Sequence, residues 1–157
     1  MLFFNEKSKG YLMRKSFFVA GVPVPKGSAK AFMNNGMKFP VVVQDNAEKQ
    51  KPWASAIAYT AQQSGVQYIE RGPIRLSVIF YMPRLGSHFG TGKNSGILKP
   101  GAPVYHTAKP DLDKLLRCVK DALTGIAWKD DAQVAVGLEL KKIYGDYPGV
   151  FITIEAL

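Results

Sequence analysis

Residues 109–134 read KPDLDKLLRCVKDALTGIAWKDDAQV, and this stretch decides how the rest of the chain is arranged. Leu112, Leu115, Leu116, Val119, Ala122 and Leu123 recur at helical spacing and form a one-sided apolar stripe. The spacing predicts an amphipathic helix. Pro110 pushes Lys109 towards an extended conformation, so the helix starts after it. Asp111 suits the N-cap, and Gly125 suits a left-handed residue just past the C-terminus. The opposite face carries Asp113, Arg117, Lys120 and Asp121. Beyond Gly125 the chain turns and a second acidic pair follows, Asp130 and Asp131. Spacing alone leaves open whether the turn returns that pair towards the helix start or carries it away.

The charge balance gives these acids their interest. The chain has 157 residues, with 21 Lys and Arg against 12 Asp and Glu, for a net charge of +9. Six of the 12 acids lie between residues 111 and 139. A basic surface favours a polyanionic partner, a property that ribosomal and membrane-surface proteins share. Converging carboxylates make a Mg²⁺ site, because a small hard cation takes oxygen ligands and keeps several waters. Such a metal activates water and stabilises the leaving oxygen of a phosphodiester. Asp111, Asp113 and Asp131, with Asp130 beside them, are the candidate ligands. Arg117 lies one turn beyond Asp113 and can either offset phosphorane charge or pair with Asp113. The same residues also fit a plainer role as an N-cap, a surface ion pair and a solvated turn.

The stretch resembles the signature of the RusA family of Holliday junction resolvases. The shared features are a basic residue before P-D-L-D, a helix ending in D-A-L, and a following D-D-A-Q-V. Here they read K-P-D-L-D-K-L-L-R-C-V-K-D-A-L-T-G and W-K-D-D-A-Q-V. Looser likeness extends to the early V-P-V-P-K-G and to a middle strand ending in M-P. The resemblance implies essential acids at Asp111, Asp113 and Asp131, with Asp130 a lesser candidate. It also implies Mg²⁺ as cofactor, with Mn²⁺ as a substitute, and a homodimer acting on branched DNA, the four-way junction. Two positions depart from the pattern. Lys114 stands where the family has Asn, and Arg117 stands where it has a functional lysine. Arginine keeps the charge but does not give up its proton near neutral pH.

The remaining chain fits a small single α/β domain, a mixed β-sheet packed with two main helices. Residues 1–13 read as a peripheral extension and 14–157 as the RusA-like nuclease domain. A first strand is expected at 15–22, followed by a turn-rich loop bearing Lys26 and Lys30. VVVQ at 41–44 reads as a short strand. A helix is expected over 45–64, capped by Asp45 or starting later near Pro52, with Trp53, Ala56, Ile57, Thr60 and Ala61 facing inward. Residues 73–82 read as a central strand. Residues 84–108 hold five glycines and no acid, and are expected to form a flexible basic loop. Arg84, Lys93, Lys99, Lys109 and Lys114, with Lys26 and Lys30, are the candidate nucleic-acid-binding residues. A strand over 133–144 places Val134, Val136, Leu138 and Leu140 on one face, and 150–156 pairs back as the last strand.

Other chemistries are disfavoured. A single cysteine, Cys118, allows neither an internal disulfide nor a multi-cysteine zinc site. His88 and His106 lie in loop-like sequence outside the quoted motifs. No apolar run is long enough for a signal peptide or membrane span, so the expected compartment is cytoplasmic. The leading reading is a metal-dependent junction nuclease. A DNA-binding protein with weakened catalysis and a non-catalytic RNA-associated protein are the competing ones.

Overall fold

The computed structural model describes residues 13–157 apart from 34, 35, 37, 40 and 45. The elements are β1 (Arg14–Ala20), β2 (Ala29–Phe32), β3 (Val41–Gln44), α1 (Ala47–Gln63), β4 (Ile74–Pro83), α2 (Leu112–Leu123), β5 (Val134–Gly145) and β6 (Gly149–Ala156). The main sheet is mixed, in the order β1-β6-β4-β5. β6 runs antiparallel to β1 and β4, and β5 runs parallel to β4. β2 and β3 form a separate antiparallel ribbon. A parallel pair needs a crossover, and the segment carrying α2 supplies it between β4 and β5. This is the small mixed-sheet α/β domain expected.

Every second residue of the strands builds the core. Ile74, Leu76, Val78, Phe80 and Met82 of β4 are buried with Val150, Ile152 and Ile154 of β6 and with Phe17 and Val19 of β1. Trp53, Ile57 and Ala61 of α1 and Leu115, Cys118, Val119 and Leu123 of α2 close over them. The alternate residues of β4, Arg75, Ser77, Ile79 and Tyr81, are only half-buried. The helices thus cover one face of the sheet, and the other carries exposed Phe18 and Phe151.

One local expectation changes, the face of β5, and two other segments gain detail. α1 takes the longer of the two expected extents, running through Pro52 from a left-handed Asn46 at its N-cap position. The carbonyl that Pro52 leaves without a donor lies near the helix start, where water reaches it, so the cost of the proline is limited. Asp45, the expected cap, lies outside the described residues, as do residues 1–12. β5 does not keep its four apolar residues on one face. Val134 pairs with Ile74 but Val136 pairs with Arg75, and Gly137 pairs with Leu76 but Leu140 with Val78. Each slip inserts a residue and reverses the side-chain alternation. Val136 therefore turns to the uncovered face, and Leu138 is left exposed. The 84–108 segment makes turns at Gly86–His88 and Gly92–Asn94, and two backbone bonds tie its end to β5, His106 N donating to Lys142 O and Tyr144 N to Val104 O.

Gly149 marks a close approach of β1 to β6. A Cβ there would lie 2.5 Å from the Val19 carbonyl oxygen and would run into the Phe18 ring. Gly149→Ala is expected to destabilise the fold by about 2 kcal/mol through overpacking. Urea unfolding checks this, and an unchanged midpoint would mean that the strands separate without cost.

Candidate active site

The D-x-D pair sits at the start of α2. Asp111 occupies the N-cap position with extended backbone, but its side chain makes no capping hydrogen bond. Its carboxylate instead stands 3.7 Å from the Lys114 ammonium. Asp113, in the first turn, is exposed and makes no hydrogen bond or ion pair among the described residues. Arg117 is exposed and likewise unpaired among them, so the i,i+4 pair with Asp113 does not form. The positive end of the helix dipole favours both carboxylates. Forgoing the cap bond costs about 1 kcal/mol and leaves the Asp111 carboxylate facing Lys114.

The backbone that presents this pair is held from β5. Lys142 Nζ donates to the carbonyls of Ala108 and Pro110, 2.6 Å each. Burial pushes the Lys142 ammonium below its usual range, against the opposing pull of the Asp111 carboxylate. Lys142 was not singled out from sequence. Only the register of β5 against β4 shows that residue 142 shares the helix-covered face with Phe80.

The second acidic pair has divided roles. Asp130 caps the short turn Asp131–Gln133, its carboxylate accepting from Ala132 N at 2.9 Å. Gln133 completes a capping box: its Oε1 accepts from the backbone N–H groups of Lys129 and Asp130, while its Nε2 donates to the carbonyls of Ile69 and Gly72. Trp128, fully buried, donates from its indole N–H to Thr124 Oγ1 and anchors the turn from beneath. The loop comes back against Lys120 in the last turn of α2 rather than against its start. Asp131 stands 3.8 Å from Lys120, two turns along the helix from Asp113. Among the described residues, no three His, Cys, Asp or Glu side chains gather as a metal cage.

Beside Asp111 opens a cleft of about 630 Å³. The Val22–Ser28 loop, Asn46 and Lys49 at the α1 start, the β4 end, His106 and Lys109–Asp111 line it together with Lys114. Two bonds pin the loop there: Lys26 N donates to Lys114 O, and Gly27 N donates to Gln50 Oε1. The Lys26 ammonium pairs with Asp121. Of the expected nucleic-acid contacts, Lys26, Lys109 and Lys114 therefore share one cleft. Lys93 is exposed on the 84–108 segment and Lys30 on β2. Arg84 and Lys99 are tied inside that segment, donating to Pro103 O and Ser87 O. Lys49 and His106 join the cleft unannounced by the sequence, because only the fold brings the α1 start and residue 106 to α2. Burial, then the nearby Lys142 charge, holds His106 below its usual range and hence neutral at physiological pH. Its ring and that of His88 both pack on Tyr144. Burial and the neighbouring Asp121 charge push the Cys118 thiol up to about 11, which removes it as a nucleophile.

Gln133→Ala removes all four amide hydrogen bonds at once. It is expected to cost about 2 kcal/mol and to speed hydrogen exchange at the amides of residues 129–132. Unchanged exchange there would show that the turn holds itself without Gln133.

Comparison with known proteins identifies the family. The family described as Endodeoxyribonuclease RusA matches residues 20–155. The chain is also 34% identical over 144 residues to YqaN, an uncharacterized protein of Bacillus subtilis (strain 168), a match covering 88% of this chain and 94% of that protein. Among the described residues, no helix is long and apolar enough to cross a membrane. With the family match running from the end of β1 through most of β6, over the D-x-D, the cleft and the second acidic turn, this chain belongs to the RusA endodeoxyribonuclease family, a family of Holliday junction resolvases.

Proposed function

We propose that this protein is a Mg²⁺-dependent, structure-specific endodeoxyribonuclease that resolves four-way DNA junctions by paired symmetric nicks, working as a homodimer in the cytoplasm. The observation that carries this is the pair of exposed carboxylates, Asp111 and Asp113, uncapped at the mouth of a lysine-lined cleft. Mg²⁺ commonly takes only one or two protein carboxylates and fills its shell with water and substrate phosphate. Asp111 and Asp113 suit that requirement, with Asp131 as the third acid, and Mn²⁺ can substitute for Mg²⁺. Asp130 is the weakest of the four, since its carboxylate is engaged in its cap. Bound there, the metal supplies an activated water and charge to stabilise the leaving oxygen.

The chain's own groups do the remaining work. Arg117 projects from the same face of α2 as Asp113 and is free to stabilise charge on the phosphorane. Lys114, beside Asp111, and Lys49 and Lys109 in the cleft hold phosphates, as does Lys93 on the 84–108 segment. Lys142 fixes the two carbonyls that flank Lys109 and Pro110, and so fixes the direction in which Asp111 enters α2. A four-way junction is near two-fold symmetric, and a C₂ dimer presents two matched sites. The uncovered sheet face, with Phe18, Phe151 and Leu138 exposed, supports association through an apolar surface. A second reading, a junction-binding protein with weak catalysis, is favoured by the Lys114–Asp111 pair and by arginine at position 117.

A synthetic four-way junction labelled on each strand tests the proposal. Wild-type protein is expected to nick symmetric strands only when Mg²⁺ or Mn²⁺ is present, with binding that weakens steeply as salt rises. Asp113→Asn is expected to lower nicking at least about 100-fold while still binding the junction. Cleavage undiminished in that variant would remove the acidic site from the mechanism. Binding without nicks in either metal would assign the chain to the second reading. Arg117→Ala is expected to lower the single-turnover rate by roughly 100-fold with little change in junction affinity. A loss confined to affinity would make Arg117 a docking residue.

A further inference from the structure

The cleft beside Asp111 is larger and more apolar than phosphate binding requires. Phosphate needs donors and positive charge, which Lys49, Lys109 and Lys114 supply at the rim. The lining also includes the apolar Val22, Val24, Pro25, Met82 and Leu85. A volume of about 630 Å³ falls within the range of sites that enclose small organic ligands. His106 adds an imidazole to this lining.

We propose that this cleft is a pocket for one unstacked nucleobase of the strand being cut, lying next to the phosphate that meets Asp111 and Asp113. This rests on the resolvase reading above and adds to it a base-specific contact. The chemistry matches part by part. A base has two apolar faces, which suit walls of valine, proline, methionine and leucine. Its edge carries donors and acceptors, which suit His106, Ser28 and Asn46 in the same lining. Its own phosphates stay at the lysine rim. The branch point of a junction is where stacking is weakest, and extrusion of a base costs least where stacking is already disturbed. A pocket of this kind makes the nicked position depend on which base can enter, so it is also a specificity device.

The test uses full-length protein and four-way junctions carrying 2-aminopurine, whose emission rises when it leaves the stack, at successive positions around the branch point. Binding is followed in chelator and nicking in Mg²⁺. The expected result is a several-fold rise confined to the position adjoining the nicked phosphate. Val22→Trp and Leu85→Trp, in two separate lining segments, are each expected to remove that rise while the junction still binds. Both residues are 56% exposed, so the added bulk fills the cleft without pressing on the core. The pocket is overturned if no position brightens, or if the rise survives both substitutions. Metal-dependent nicks without any rise would sink the pocket alone. Wild-type protein that neither binds nor nicks the junction would take the resolvase reading down with it.

Discussion

The seating of α2 is the constraint from which the site follows. Leu115, Cys118, Val119 and Leu123 are buried against the sheet and α1, each with almost no exposed surface. A helix turns by a fixed amount per residue, so burying this stripe leaves no freedom in where the remaining positions point. Asp113, Arg117 and Lys120 must rise on the open side in that order. Rolling the helix to bring Asp113 inward would lift Leu115 and Val119 into water, at about 2 kcal/mol for each side chain. The core therefore sets the direction of the functional face without touching it.

The polar groups around the site divide into those fully engaged and those left free. Asp130 and Gln133 satisfy each other and the surrounding backbone. Lys26 is paired with Asp121, and Lys142 is held by two carbonyls. Asp111 gives up its cap, and Asp113 and Arg117 have no partner among the described residues. A fold that satisfies the supporting groups and leaves the neighbouring ones bare is rigid behind the site and open in front of it. Such support is what holds reacting groups to a defined geometry.

Much of this was legible in the sequence, for a physical reason in each case. The helical stripe from Leu112 to Leu123 is a local pattern, and local patterns survive folding, so α2 and Gly125 behind it were foreseeable. The alternation in β6 and the long apolar run of β4 were readable on the same grounds. The return of the second acidic turn to α2 was not, because it depends on Trp128 finding its pocket beneath that helix and on Gln133 reaching back to Ile69 and Gly72. The face of β5 was misread because two register slips, invisible in composition, reverse the alternation. Lys49, His106 and Lys142 were out of reach for a related reason. Each joins the site through the pairing or packing of elements far apart in sequence, and no spacing rule encodes that.

The lysines of the cleft answer a difficulty that the acids create. Carboxylates at the entrance repel a phosphate backbone over a distance comparable with the screening length of the solution, about 8 Å at physiological salt. Four lysines, Lys26, Lys49, Lys109 and Lys114, line the cleft with the single aspartate Asp111. Even after Asp121 offsets Lys26, the local charge stays positive. A polyanion is therefore attracted to the cleft although its working groups are acids, and the attraction does not depend on any ion arriving first. The basic excess of the whole chain draws DNA to the surface, and the lysine rim decides where on that surface a strand comes to rest. Placing the rim on three separate elements, the α1 start, the segment before α2 and the first turn of α2 itself, makes that resting place a property of the folded domain rather than of any one basic stretch.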